Sequence, residues 1–169
     1  CSGIAGRSRP KEVEMSAIEG FFHEQMVTAG PNESVADVAQ RMSKSNVGAV
    51  LLVENERLVG LFTERDLLKR VVAEGLDPAG TPVREVATTD VIHVATGSSV
   101  RACAEQLKKH GVRHMPIVED HRPIGIISAR DFFVKVSDRM VELIEHARYD
   151  EQLEENVDPY DHMGGSYGR

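Results

Sequence analysis

The sequence predicts an α+β fold built from two tandem β-α-β-β-α units, and three observations predict it. Shifting the chain by 65 positions lays residues 27–71 over 92–136 without a gap, and about a dozen of the 45 pairs are identical. Ser34 meets Ser99, Val35 meets Val100, Val47 meets Val112, Gly60 meets Gly125, Arg65 meets Arg130 and Asp66 meets Asp131. Within each copy, apolar spacing alternates between strand and helix periods in the same order. Between the copies, residues 75–82 hold two Gly and two Pro, the composition of a linker.

Copy one opens with a short strand over 25–28, closed by the turn formers Gly30, Pro31 and Asn32. Ser34 is a candidate N-cap, and Val35, Val38, Ala39 and Met42 fall at i, i+3, i+4 and i+7 on one helical face. Two apolar runs, 49–53 and 58–62, flank the polar turn Glu54-Asn55-Glu56 as a strand hairpin. A second helix opens at Thr63 and carries Leu67, Leu68 and Val71. After the linker, 83–87 reads as a short helix. Copy two then repeats the string: Ser99 as N-cap, the face Val100, Cys103, Ala104 and Leu107, the runs 114–118 and 124–127 around Glu119-Asp120-His121, and a helix from Ser128 with Phe132, Phe133 and Val136. Cys103 stands where Val38 stands, so it reads as a small buried hydrophobe and not a nucleophile. Val141, Leu143, Ile144 and Leu153 carry the last helix on to about Asn156, with a charged, solvated face at 151–155. Residues 1–14 lack periodicity and read as mobile, and the closing HMGGSYGR reads as disordered.

Composition bounds the function. The chain has 169 residues, 41% hydrophobic and 28% charged, with a formal charge of -7. A chain this long buries enough apolar surface to fold without disulfides or a structural metal. Its negative charge argues against nucleic acid and anionic membranes as partners, and its apolar runs are too short to span a bilayer. Cys1 and Cys103 make neither a disulfide scaffold nor a CxxC metal pair, which fits a reducing, cytoplasmic setting. The sequence opens on Cys1, and Met15 within EVEMSAIEG is a candidate start. A fragment, a processed chain or a lipoprotein beginning at Cys1 are the alternatives.

The strings 60–66 (GLFTERD) and 125–131 (GIISARD) each join a strand to a helix. Thr63 with Asp66, and Ser128 with Asp131, have the spacing of a capping box, which explains them structurally. Binding is the competing explanation. Glycine inside a strand marks a place another group approaches closely. A helix N-terminus suits a phosphate. Arg65 and Arg130 reinforce it, and a neighbouring carboxylate accepts from two ribose hydroxyls.

The duplicated unit ending in G-h-h-[ST]-x-R-D resembles a pair of CBS domains, the Bateman module. The likeness covers 21–138 and rests on LVGLFTERDLL (58–68), GVRHMPIV (111–118) and PIGIISARD (123–131). It implies two CBS units packed with pseudo-two-fold symmetry: an N-terminal flexible segment at 1–19, domain one at 20–77, a linker at 78–87, domain two at 88–140 and a helical extension and tail at 141–169. The resemblance further implies a regulatory, non-catalytic module with two clefts for an adenine nucleotide (AMP, ADP or ATP) or another adenosyl ligand such as S-adenosylmethionine or NADH. A homodimer and an unidentified effector protein follow from the same source.

By this resemblance, cleft one joins Thr63, Arg65 and Asp66, with Asp66 on the ribose, to Ala87, Thr88, Val91 and Ile92 around the base and to Arg113, His114 and Met115. Cleft two pairs Ser128, Arg130 and Asp131 with Met26, Val47, Gly48 and Ala49. Where copy two has Arg113-His114, copy one has Gly48-Ala49, so cleft one carries two more phosphate donors. Each is worth roughly 1.5–3 kcal/mol before screening. Tighter binding at Asp66 than at Asp131 is the expectation.

Three other readings stay on the table. His110 and His114, with His93 and His121 nearby in sequence, invite a metal site, yet no acidic or CxxC set completes one. Asp66 and Asp131 as an acid/base couple is the enzymatic reading. Each has an arginine beside it, an arrangement that pairs charges, and no P-loop or GxGxxG accompanies them. A ligand-free scaffold, associating through Leu67, Leu68, Val71, Phe132, Phe133 and Val136, is the third.

Overall fold

A computed structural model of the chain describes residue 18 and residues 20–155. The candidate start at Met15, residues 1–14, the end of the helix at Asn156 and the HMGGSYGR tail lie outside the described residues. Ile18, assigned from sequence to the flexible segment, is fully buried. Two compact units divide the chain at Phe132/Phe133.

The first unit contains copy one and copy two as far as the start of its last helix. Copy one comprises β1 (Thr28–Ala29), α1 (Val35–Ser45), β2 (Ala49–Glu54), β3 (Arg57–Thr63) and a helix that begins as α2 (Glu64–Asp66) and continues as a π-helical segment (Leu67–Val72). A short α3 (Val83–Val86) leads to copy two: β4 (Val94–Ala95), α4 (Val100–His110), β5 (His114–Glu119), β6 (Arg122–Ser128) and the start of α5 (Ala129–Glu155). Each copy forms one three-stranded sheet, ordered β1-β2-β3 and β4-β5-β6, with the first pair parallel and the second antiparallel. A register shift falls between Leu52 and Val53 and again, 65 residues on, between Ile117 and Val118.

Local chemistry accounts for the helix ends. Ser34 Oγ accepts from the Asp37 N–H at 3.1 Å, and Ser99 Oγ accepts from the Ala102 N–H at 3.1 Å, so both serines cap as their spacing predicts. Asn46 and Gly111 close these helices in the left-handed conformation, at φ 52° and 61°. Both hairpins turn through two consecutive positive-φ residues, Asn55-Glu56 and Asp120-His121, the twist that a two-residue hairpin loop needs.

The strands alternate in which layer they fill. Val50, Leu52 and Phe62 pack with Val35, Val38 and Met42 of α1 and with Val71, Val83 and Val86. Ala49, Leu51 and Leu61 form a second layer on the opposite face, with Met26, Val91 and Ile126 against it. Burial on both faces explains why the 49–53 run is apolar without alternation. Each fully buried aliphatic side chain here contributes about 1.5–3 kcal/mol. Cys103 is fully buried beside Val100 and Leu107 on the inner face of α4, and burial pushes its thiol up to about 11, so it is the inert hydrophobe its position suggests.

Two elements differ from the sequence expectation. β1 is a two-residue strand starting at Thr28, not a run over 25–28, because only Thr28 and Ala29 are in register with β2; Val27 still accepts from the Leu51 N–H at 3.0 Å, and it lines a cavity with Gln25 and Met26. The helix after β3 widens into a π-helical segment where Arg70 reaches across to the Val86 carbonyl at 3.0 Å. In the second unit, described by itself, α5 runs on to Glu155 and exposes Phe133, Met140, Val141, Ile144 and Tyr149. Of the apolar residues offered for association, Val71 and Phe132 are instead fully buried core, whereas Leu68 is exposed.

Candidate functional site

Each cleft exists because the segment leading into one copy crosses to the other. Ile18 N–H donates to the Ser98 carbonyl at 3.0 Å, and 65 residues later Val83 N–H donates to the Glu33 carbonyl at 2.8 Å. His23 exchanges two backbone hydrogen bonds with Ile126 of β6, at 3.0 and 3.1 Å. Thr88 does the same with Leu61 of β3, at 2.9 and 2.8 Å. Residues 83–88 therefore pack on copy one, although they lead into copy two. One bond of this pseudo-symmetric set has no mate: Leu58 N–H donates to the His121 carbonyl at 3.0 Å, and the matching residue, Pro123, has no N–H to give.

Cleft one is a cavity of about 280 Å³ lined by Thr63, Arg65 and Asp66 of copy one, by Thr88, Val91 and Ile92 of the crossing segment, and by Arg113 and His114. Those are eight of the ten residues the sequence placed there. The other two point elsewhere: Met115 is fully buried in its strand, because alternation turns it away from His114, and Ala87 joins the copy-one core. Asp66 holds the wall. Its Oδ2 accepts from Thr63 Oγ1 at 2.7 Å and from the Thr63 N–H at 3.0 Å, while the Asp66 N–H donates to Thr63 Oγ1 at 3.3 Å, a complete capping box. Its Oδ1 faces Arg70 Nε at 3.4 Å. The capping role and the wall role therefore coincide in one carboxylate.

Cleft two is a cavity of about 330 Å³ lined by Met26, Val47, Gly48, Ala49, Ser128 and Asp131, with His23, Gln25, Asn46 and Ile126. Here the capping box is not formed. Among the described residues Asp131 Oδ2 lies instead 3.3 Å from His23 Nε2, and its side chain is 48% exposed against 12% for Asp66. Arg130 is exposed and does not line the cavity. The expected pairing of each aspartate with the arginine before it is also replaced, by Arg70 for Asp66 and by His23 for Asp131.

His114 lines both cavities, which the sequence assigned to cleft one alone. Burial, with the adjacent Arg113 charge, pulls its imidazole below the ordinary value, against smaller opposing pulls from Glu64 and Asp131. Sequence reasoning also passed over Arg70 in cleft one and His23 and Asn46 in cleft two, and it weighed His110 as a metal ligand and not as part of cleft one. The repeat contained part of the signal: His23 is the 65-residue mate of Thr88, and Asn46 that of Gly111. Arg70 sits four residues after Asp66 on the same helix face.

The strand glycines are explained by the chain itself. A Cβ on Gly125 would overlap the Phe22 ring of the crossing segment, and one on Gly60 would meet Leu52 Cδ1 at 3.0 Å. The approaching groups expected there are thus protein side chains. No group of three or more His, Cys, Asp or Glu among the described residues is placed to hold a metal. No helix among the described residues is long and apolar enough to cross a membrane.

Comparison with known proteins agrees with this architecture. The CBS domain family model matches residues 18–73 and again 83–138, each match beginning at the crossing segment. The CBS domain-containing protein YhcV of Bacillus subtilis is 32% identical over 120 residues, covering 71% of this chain and 85% of that protein. A CBS domain protein from Pyrobaculum aerophilum, solved in complex with AMP, superposes with a TM-score of 0.63 at 28% identity, over 68% of this chain and 88% of that one. Hypoxic Response Protein I, a Mycobacterium tuberculosis protein whose solved structure has two coordinated zinc ions, has a TM-score of 0.63 at 26% identity, over 70% and 98%.

Proposed function

The chain belongs to the CBS domain family, and we propose that it is a regulatory, non-catalytic module that binds an adenine nucleotide between its two copies and signals occupancy to a partner protein in the cytoplasm. The observation that carries this reading is cleft one, where a wall carboxylate, three arginines and an apolar slot at Val91 and Ile92 surround a single cavity. Asp66 accepts from the ribose hydroxyls through Oδ1 once Arg70 turns toward the ligand. Thr88, Val91 and Ile92 flank the base. Arg65, at the N-terminus of α2, and Arg113, before β5, meet the phosphates. The AMP held by the Pyrobaculum relative supports an adenosine ligand, and the three arginines of the lining favour one that carries a phosphate. In cleft two, Ser128 and Asp131 face Met26, Val47, Gly48 and Ala49 with no arginine in the wall, so its ligand is held more weakly. Exposed Leu68, Val72 and Leu76 in copy one suit contact with a second copy or an effector.

The test is thermal melting of nucleotide-stripped protein with AMP, ADP, ATP, S-adenosylmethionine and NADH. A ligand at 100 times its Kd adds about 2.7 kcal/mol, a shift of several degrees at this size. Asp66→Asn, which keeps an oxygen for the cap, should lose the shift. No shift with any ligand would overturn the reading and leave Asp66 as a helix cap.

A further inference from the structure

His114 is the only residue lining both cavities among the described residues. It opens β5 where Ala49 opens β2, so the pseudo-two-fold arrangement supplies one imidazole between two clefts and no second one opposite it. Gly48 makes the room: a Cβ there would lie 3.3 Å from His114 Cε1 and 3.4 Å from Glu64 Oε2. Copy two has Arg113 at the position matching Gly48. The ring is half-buried, with Arg113 beside it, Glu64 of α2 and Asp131 of α5 facing it, and His23 in one cavity and His110, Arg65 and Asp66 in the other.

We propose that His114 is shared by the two clefts and makes them compete, so that a ligand phosphate held in one weakens phosphate binding in the other. A neutral imidazole has one N–H donor and one acceptor nitrogen. A phosphate that takes the donor leaves the acceptor lone pair facing the other cavity, where it repels a second phosphate. Burial and the Arg113 charge hold the ring in that neutral form. The coupling is reciprocal, because linkage requires each ligand to weaken the other by the same factor. The inference rests on the adenosine-ligand reading above and adds an antagonism between its two sites.

Calorimetric titration of AMP, with adenosine as the phosphate-free control, tests it on the full chain. Asp66→Asn and Asp131→Asn each leave one cleft intact, and both are measured with and without His114→Ala, the residue copy one already has at this place. The expected result is that His114→Ala weakens AMP about tenfold or more in both single-cleft chains, the size of one hydrogen bond to a charged group, and leaves adenosine unchanged. The weaker of two AMP sites in the unmodified chain should also bind less tightly than the same cleft alone. His114→Gln, which keeps an N–H, should give an intermediate loss and replaces the alanine variant if that variant does not fold. AMP binding that responds to His114 in one cleft only, or an equal loss for adenosine, would overturn the sharing and leave the nucleotide reading standing. No AMP binding to the unmodified chain would overturn both.

Discussion

The two clefts have the same backbone, related by the 65-residue repeat, and differ in almost every charged side chain. Cleft one has Arg65, Arg70 and Arg113 against Asp66 and Asp90, one net positive charge with the histidines neutral. Cleft two has Asp131 and no Lys or Arg. Asp66 is nearly enclosed and fixed by Thr63 and Arg70, whereas Asp131 is half-exposed and, among the described residues, makes its side-chain polar contact with His23. The two copies thus share the crossing backbone hydrogen bonds and differ in the charges that line the clefts, and the proposed ranking of the clefts rests on that difference.

The largest difference is in the frame itself. Gly125→Ala should cost about 3 kcal/mol in urea denaturation, because the new methyl overlaps Phe22 and overpacking costs up to that much. Gly60→Ala should cost less, about 1 kcal/mol, since its new methyl would meet Leu52 Cδ1 at 3.0 Å rather than overlap it. Gly125→Ala combined with Phe22→Ala, which reproduces the Ala87 of the other copy, should recover part of the loss. No recovery would mean that the Phe22 contact is not what Gly125 serves.

Asp66→Ala should destabilise the ligand-free protein by about 1–2 kcal/mol through the lost cap, and Asp131→Ala by less than about 0.5 kcal/mol because its partner is exposed. Chemical denaturation of the pair reads this directly. Equal losses would show that the capping box of copy one contributes nothing special.

How much of this was legible beforehand depends on what the repeat encodes. Apolar spacing and caps are local, so Ser34, Ser99 and both hairpin turns could be read from the chain. The crossing of 18–23 and 83–88 onto the opposite copy could not. Its signal is the pairing of Ile18 with Val83 and Phe22 with Ala87, positions that lie ahead of the 27–71 alignment window. The capping box shows the complementary failure. Thr63-x-x-Asp66 and Ser128-x-x-Asp131 are the same motif, yet only the first closes, because His23 reaches Asp131 and nothing comparable reaches Asp66 from Thr88. Met115 missed the cleft by strand alternation alone, one residue beyond His114.

Arg113→Ala should separate the clefts by ligand. AMP affinity in cleft one should fall about tenfold, with less dependence on salt, while cleft two, which Arg113 reaches only through His114, should change less. The reverse substitution, Gly48→Arg, is expected to crowd His114 and Glu64 rather than strengthen cleft two. Calorimetry on the Asp66→Asn and Asp131→Asn backgrounds gives both numbers. An equal loss in the two clefts would remove the electrostatic basis of their ranking.

The smallest expected effect is a pH slope that belongs to one copy. The His114 imidazole is held below its ordinary value of 6.5, chiefly by burial, so the folded state takes up its proton later than the unfolded chain does. In the window just below 6.5 the unfolded state therefore binds more protons, and stability rises with pH there. This contribution is fully present above the unfolded value and is lost as pH falls through the folded one. Copy one has Ala49 at the matching place, which cannot titrate. Denaturation midpoints of ligand-free protein measured from pH 8 down to pH 5 should thus fall more steeply than those of His114→Ala, which makes the two copies alike at this position. Parallel curves would mean that the imidazole is as free to protonate in the fold as in the unfolded chain, and below pH 6.5 the wall between the clefts would then present a cation to both.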